Sequence, residues 1–270
     1  MRVALLQLNS QESLDKNLVE IDALLKEASS KGSTYALLPE NFAFFGSEKE
    51  KLKRANFIST EVFEFLKNSA LKYNLTLTGG GFPTPGTPAK VYNTALTFSP
   101  KGEEVNRYNK IHLFDVAPGD NVEYRESRST EAGDKIAPLF SLDKFLLGIT
   151  ICYDLRFPYL YQNLAANGAT VLLVPAAFTQ VTGSAHWHTL LRARAIENTC
   201  YVLAAAQWGK HSGGRETYGH SLVVDPWGEI IAELSSGVGV LYADLDFTHL
   251  NAVRTRMPSV QHRVVLKNMA

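Results

Sequence analysis

Short apolar runs rich in Val, Ile, Leu and Thr recur at residues 2–8, 34–38, 75–79, 145–151, 170–174 and 201–206, with helix-period segments at 14–28, 61–73, 158–166 and 185–198 between several of them. Each run has the length of a strand, and none shows the in-out alternation of a sheet wetted on one side, so both faces of these strands must be covered. Two stretches break the strand-helix rhythm and read as hairpins: residues 95–107, turning at Pro100, Lys101 and Gly102, and residues 221–234, turning at DPWG, 225–228. A pure doubly wound parallel sheet is therefore disfavoured. The pattern predicts an α/β chain with mixed sheets packed together and helices on their outer faces.

At 270 residues and 45% hydrophobic, the chain has ample material for a large core. No composition break favours two units, so a single domain over 1–270 is expected. The Pro/Gly stretch GGGFPTPGTP at 79–88 is too short for an interdomain linker and reads as a surface loop. Lysine plus arginine and aspartate plus glutamate balance at 27 each, which gives no electrostatic reason to expect nucleic acid or an anionic membrane as partner. A small neutral or singly charged molecule fits better. The opening MRVALLQLNS lacks the features of a secretory signal and no stretch has the length of a membrane span, so a cytoplasmic protein is expected. With only Cys152 and Cys200, reduced thiols are expected rather than a structural disulfide.

Cys152 ends the run FLLGITIC and is followed at once by YDLRFP, placing it where a buried strand stops. Asp154 and Pro158 carry helix-start signals, and an amide-rich helix N-terminus favours thiolate over thiol. The arrangement is similar to the strand-to-helix turn that presents nucleophiles in other hydrolases. The alternative is a buried cysteine acting as a small hydrophobe. Glu40, just after TYALLP, puts a carboxylate at another strand end, where a charge is costly without a partner or a task. Lys110, in RYNKIHLF, lies just beyond the second arm of the first hairpin and has no obvious acidic neighbour in sequence. Together the three supply a nucleophile, a proton carrier and an oxyanion-stabilising cation without a histidine.

The segments LLPENF, YNKIHLFD and TICYDLRFP, in that order, resemble the Glu, Lys and Cys motifs of the nitrilase superfamily of carbon–nitrogen hydrolases. The likeness continues through AHWHTLLRARAIENTCYVLAAAQ and YGHSLVVDPWG, and these stretches look most like the Nit branch, in particular its deaminated glutathione amidases. The resemblance implies a four-layer α-β-β-α sandwich and a homodimer or higher homo-oligomer, with residues 247–257 and the following PSVQHRVV as a candidate arm toward a partner. It also implies an amidase working through a cysteine thioester. Glu40 would be the acid-base group, Cys152 the nucleophile, and Lys110 the oxyanion partner, with the backbone amide of Tyr153 as a second donor. A second glutamate between lysine and cysteine fits Glu126 best, with Glu123 and Glu131 as competitors. The implied reaction cleaves the amide of deaminated glutathione to 2-oxoglutarate and cysteinylglycine; the alternative is an ω-amidase acting on 2-oxoglutaramate. No cofactor and no metal is expected.

Other residues admit two readings. Arg156 meets a substrate carboxylate or braces its loop through an ion pair with Asp154. Phe178, Thr182 and His186 line a pocket mouth, or His186 and Trp187 pack a helix start. His186, His188 and His112 invite a zinc reading, although their spacing matches no standard site. Cys200 reads as core, and Arg192 and Arg194 as an ion-pair network with Glu197. Two further classes stay open: a non-catalytic scaffold or redox sensor using Cys152, and a cysteine hydrolase with His112, His186 or His220 as base.

Overall fold

Neighbouring residues near the N-terminus belong to different cores. Val3 and Leu5 pack with Tyr35, Leu147 and Leu173, whereas Ala4 and Leu6 pack with Leu25, Val62 and Leu66. Successive strand side chains point to opposite faces, so a strand buried on both sides is apolar throughout, which is why alternation is missing from the sequence. The computed structural model describes residues 1–119 and 123–264.

The first half of the chain runs β1 (Arg2–Gln7), α1 (Leu14–Ser30), β2 (Tyr35–Leu37), α2 (Glu48–Tyr73), β3 (Thr76–Pro85), β4 (Val91–Phe98) and β5 (Glu104–Asn109). A small ladder of β6 (Asp115–Val116) with β7 (Tyr124–Arg125) and the short β8 (Thr130–Glu131) follow. The second half runs β9 (Phe140–Leu142), β10 (Phe145–Ile149), α3 (Pro158–Ala166), β11 (Val171–Leu173), α4 (Gln180–Asn198) and β12 (Tyr201–Ala204). Then come the ribbon β13 (Trp208–Lys210) and β14 (Glu216–Tyr218), β15 (Ser221–Val224), β16 (Ile230–Leu234), β17 (Gly239–Asp244) and α5 (Phe247–Arg256).

One sheet has the order β17-β1-β2-β3-β4-β5 with β8 beside β4, and the other β16-β15-β12-β11-β10-β9. Both are mixed: β1-β2-β3 and β10-β11-β12 run parallel, while the hairpins add antiparallel strands. Helices α1 and α2 cover the outer face of the first sheet, α3 and α4 pack on the second, and the inner faces meet. This is the expected α-β-β-α sandwich.

Helix α1 shows how the sequence enforces the layers. Ser13 caps it by accepting from the Lys16 amide, and Leu14, Ile21, Leu25 and Ala28 form one buried stripe. Burying each of the larger side chains is worth about 1.5–3 kcal/mol, and Leu25→Ala would cost about 2–5 kcal/mol. Helix α2 starts at Glu48, well before the predicted residue 61, because its first turns are almost wholly polar and hide the period; Ser47 caps it, and Ala55 and Ile58 are the first buried positions. Helix α4 likewise begins at Gln180, capped by Thr179, ahead of the predicted 185.

The stretch expected to be a surface loop is corrected. Residues 79–84 are buried inside β3, and the exposed part starts only at Pro85. The glycines are there for close approach rather than flexibility: a Cβ on Gly80 would lie 2.4 Å from the Pro39 carbonyl oxygen, and one on Gly81 2.0 Å from Asn93 Oδ1. The C-terminal segment, proposed as an arm, packs on its own chain where it is described: Leu250 and Val253 are buried, Phe247 meets Phe145, and Arg263 reaches the Gln162 carbonyl. Residue 265 of that segment lies outside the described residues.

Candidate active site

The carboxyl ends of β2, β10 and β11 open toward one side of the sandwich, and the residues just beyond them meet the end of β5. Cys152 sits three residues past the last paired residue of β10, with φ of +49°, a left-handed conformation unusual outside glycine. Its amide donates to the Pro175 carbonyl at 2.9 Å, which fixes the elbow against the loop after β11. A 3-10 turn, Cys152–Arg156, follows, and α3 starts only at Pro158. Cys152 therefore does not sit on an α-helix N-terminus.

The pull toward thiolate expected from a helix N-terminus is outweighed here. Burial pushes the Cys152 thiol well above its ordinary range, and the Glu40 carboxylate beside it pushes the same way, against the pull of Lys110. This favours the protonated thiol over the thiolate.

A carboxylate stands next to it. Glu40 follows β2 and is only 3% exposed; its Oε1 accepts from Lys110 Nζ at 2.9 Å and from Asn93 Nδ2 at 2.8 Å, and its Oε2 from the Ala177 amide at 3.1 Å. Lys110, at the end of β5 and equally buried, donates also to Glu126 Oε2 at 2.9 Å. Burial alone would lower the lysine, but Glu126 and Glu40 hold it well above its usual value, so it stays charged. Burial would raise Glu126, yet Lys110 and the Phe114 amide, which donates at 2.7 Å, draw it below the usual carboxylate range. The competitors do not reach the lysine: Glu123 lines the same cavity but pairs with Arg125, and Glu131, outside the lining, accepts from the Thr87 amide.

Asn93, on β4, escaped the sequence reading. Its amide nitrogen donates to Glu40 at 2.8 Å and to Glu126 at 3.2 Å, clamping the two carboxylates around the lysine. The available signal was a polar residue inside an otherwise apolar strand, VYNTALTF. Gly81 belongs to the same arrangement, since it leaves room for the asparagine. The Ala177 amide was not foreseeable, because backbone donors carry no residue signature.

These groups line a cavity of about 350 Å³. Tyr153, Phe178 and Thr182 line it too, while Phe44, Phe82 and Phe114 give it apolar walls and Lys51, Arg128 and Arg215 bring cations. Arg156 and His186 do not line it. The guanidinium of Arg156 lies over Phe178 and Tyr153 and meets His186 Nδ1 at 3.3 Å, which places His186 on the exposed side of α4. The expected Arg156–Asp154 pair is absent because Asp154 is fully occupied by the elbow: it accepts from the Ile151 and His112 amides, the His112 ring and the Tyr108 hydroxyl. Arg194 does pair with Glu197 at 2.7 Å, but Arg192 binds the Gly228 carbonyl instead.

The histidines considered as bases or zinc ligands are scattered. His112 is held by Asp154 and Tyr159, His186 by Arg156, and His188 and His220 by Glu233. None of them lines the cavity. What the cavity offers is a thiol, a carboxylate in contact with it, and a fixed ammonium, which is the equipment for acyl transfer through a covalent sulfur intermediate.

Comparison with known proteins gives the family and the fold. The carbon–nitrogen hydrolase family model matches residues 2–255. A deaminated glutathione amidase of Synechocystis is 48% identical over 264 residues, covering 97% of each chain. The crystal structure of the Caenorhabditis elegans NitFhit protein superposes with a TM-score of 0.91 at 39% identity, covering 97% of this chain and 64% of that one. Saccharomyces cerevisiae Nit3, described as a member of branch 10 of the nitrilase superfamily, gives 0.85 at 32% identity, covering 96% and 94%.

Proposed function

Because the chain belongs to the carbon–nitrogen hydrolase family, as an amide hydrolase of the Nit branch, we propose that Cys152, Glu40, Lys110 and Glu126 form its catalytic apparatus and that its substrate is deaminated glutathione. The observation that carries the catalytic assignment is the convergence of Glu40, Lys110 and Cys152, from three separate strand ends, in one buried cavity. Glu40 takes the thiol proton as sulfur attacks the amide carbon. The oxyanion that forms is met by the Lys110 ammonium and the backbone amide of Tyr153. Glu40 then gives its proton to the departing amine as the carbon–nitrogen bond breaks, leaving a thioester on Cys152. Water, deprotonated by Glu40, attacks the thioester; the thiolate leaves and recovers the proton. Glu126 and Asn93 position the lysine and the base throughout.

The substrate assignment rests on the Synechocystis relative and on the cavity itself. A ketoacid amide with a peptide-like leaving group carries a carboxylate at each end. Lys51, Arg128 and Arg215 supply cations on the cavity lining, and Phe44, Phe82 and Phe114 an apolar wall between polar ends.

The same reading makes the protein one domain in a reducing, cytoplasmic setting, with both cysteines free. Among the described residues no helix is long and apolar enough to cross a membrane. It also makes the protein a homo-oligomer, for which Ile196, Trp227, Ile231 and Met257 are exposed apolar positions.

The test is a substrate panel of deaminated glutathione, 2-oxoglutaramate and simple neutral amides, run on wild type and on Glu40→Gln, Lys110→Ala and Cys152→Ala. The expected result is preferred turnover of deaminated glutathione, with an acyl mass increase on Cys152 trapped in the intact protein. Faster turnover of 2-oxoglutaramate would replace the substrate, and turnover surviving in Cys152→Ala would end the mechanism.

A further inference from the structure

Outside the cavity lining, α4, the turn into β15, and β16 each bring one metal-ligating side chain to the same place. His188 Nε2 and His220 Nδ1 both meet one oxygen, Oε1 of Glu233, at 3.0 and 2.5 Å, and the three ligand atoms lie within 4.8 Å of one another. The side chains are 31%, 24% and 30% exposed, so an ion from solvent can reach them.

Two features exceed what a surface hydrogen bond needs. His220 is held at φ +56°, a left-handed conformation that costs a non-glycine residue about 1 kcal/mol or more. It is also pinned in place: the Trp187 indole donates to its carbonyl at 2.8 Å, and the Tyr218 ring stacks on its imidazole at 4.1 Å. A ring so fixed is a preorganised ligand.

We propose that His188, His220 and Glu233 form a binding site for a divalent ion of the zinc class, separate from the amide-hydrolysing cavity, that ties α4 to the β15–β16 hairpin. Two imidazole nitrogens and one carboxylate oxygen are the ligand set such ions take. At bond lengths of about 2.0–2.2 Å in a tetrahedral arrangement, neighbouring ligand atoms sit roughly 3.3 Å apart. Glu233 Oε1, at 3.0 and 2.5 Å from the two nitrogens, must move back by less than an ångström, and the exposed side chains can adjust to close the triangle. Binding replaces two imidazole-to-carboxylate hydrogen bonds with three metal bonds, releases whatever proton the rings share beyond neutrality, and leaves one position for water. Thr179 and Thr182, at the start of α4, line the cavity, so the clamp acts on the same helix as the cavity wall.

The test uses the full chain after chelator treatment, titrated with cobalt(II) and with zinc(II). Expected are one cobalt per chain, visible d–d bands stronger than those of aqueous cobalt and without a thiolate charge-transfer band, and a melting temperature that rises with zinc. His188→Ala and the conservative Glu233→Gln should each weaken binding at least tenfold while amide turnover without metal stays at the wild-type level. A charge-transfer band, which marks a cysteine site, would overturn the proposal. So would affinity unchanged in both variants, or no d–d bands at millimolar cobalt.

Discussion

Cys152 and Cys200 are both buried, both free, and both raised in pKa by that burial, Cys200 to about 11. Their surroundings differ in kind. Cys200 opens β12 after the left-handed Thr199, its sulfur faces the Ala169 and Asn198 carbonyls, and Arg254 donates to it at 3.2 Å. Cys152 is itself the left-handed residue, faces a cavity, and lies between a carboxylate and an ammonium of opposite effect. Burial therefore does not separate a structural thiol from the proposed nucleophile. What separates them is a base in contact with the sulfur and open volume in front of it.

The strongest way to break this contrast is deletion of each sulfur in turn. Cys152→Ala should reduce amide turnover by about 10⁴-fold or more, while Cys200→Ala should leave kcat within about twofold; steady-state kinetics on the two variants checks both. Glu40→Gln comes next, with a loss of about 10³-fold in turnover. Its signature is an opposite sign elsewhere. The carboxylate raises the thiol, so removing its charge should move the midpoint of the pH profile for alkylation of Cys152 by iodoacetamide to lower pH. A midpoint that stays or rises would separate Glu40 from the sulfur.

Much of this was legible in the chain. The strands at 145–151 and 34–38, and the residues that follow them, were marked by apolar runs ending abruptly in Cys152 and Glu40, because a charged or reactive group at a buried strand end needs a reason. Charge environment was less legible. Lys110 seemed to lack acidic neighbours, yet it has two, brought from 70 and 16 residues away by the fold. The glycine run misled for the opposite reason: 79–81 carries loop composition, but here the missing side chains admit Pro39 and Asn93. Composition reports conformational freedom and close packing with the same letter. Arg156 and Asp154 looked like a pair because they are adjacent, whereas the backbone amides at the elbow had the prior claim on Asp154.

Two smaller changes sharpen how the reactive thiol is supported. In Gly81→Ala the new methyl would stand 2.0 Å from Asn93 Oδ1 and 3.2 Å from Glu40 Cγ, so the asparagine must leave its clamp. We expect kcat to fall by about 10²-fold, a size comparable to losing one fixed donor, with KM changed less. In Asp154→Asn, an amide nitrogen is turned toward donors that now share two carboxylate oxygens. At least one buried donor loses its acceptor, a cost of about 1–3 kcal/mol. For a chain of this size that is a drop of several degrees in Tm, with roughly a tenfold loss of rate from a looser elbow, read by calorimetry and kinetics together.

The smallest expected effect tests the quiet member of the pair. Cys200→Ser keeps a donor that can still reach the Ala169 carbonyl and an acceptor for Arg254, so no buried polar group is stranded. It exchanges a large polarisable atom for a smaller, more strongly solvated one at a fully buried position. A destabilisation of about 1 kcal/mol, seen as a shift in the denaturation midpoint with unchanged slope, is the outcome for a sulfur that only fills space. Turnover should be unaltered, because the α4–β12 junction touches the cavity only through the far end of α4. A loss of rate in this variant larger than its loss of stability would mean that the two thiols are coupled through that helix, and the division between reactive and structural sulfur would fail.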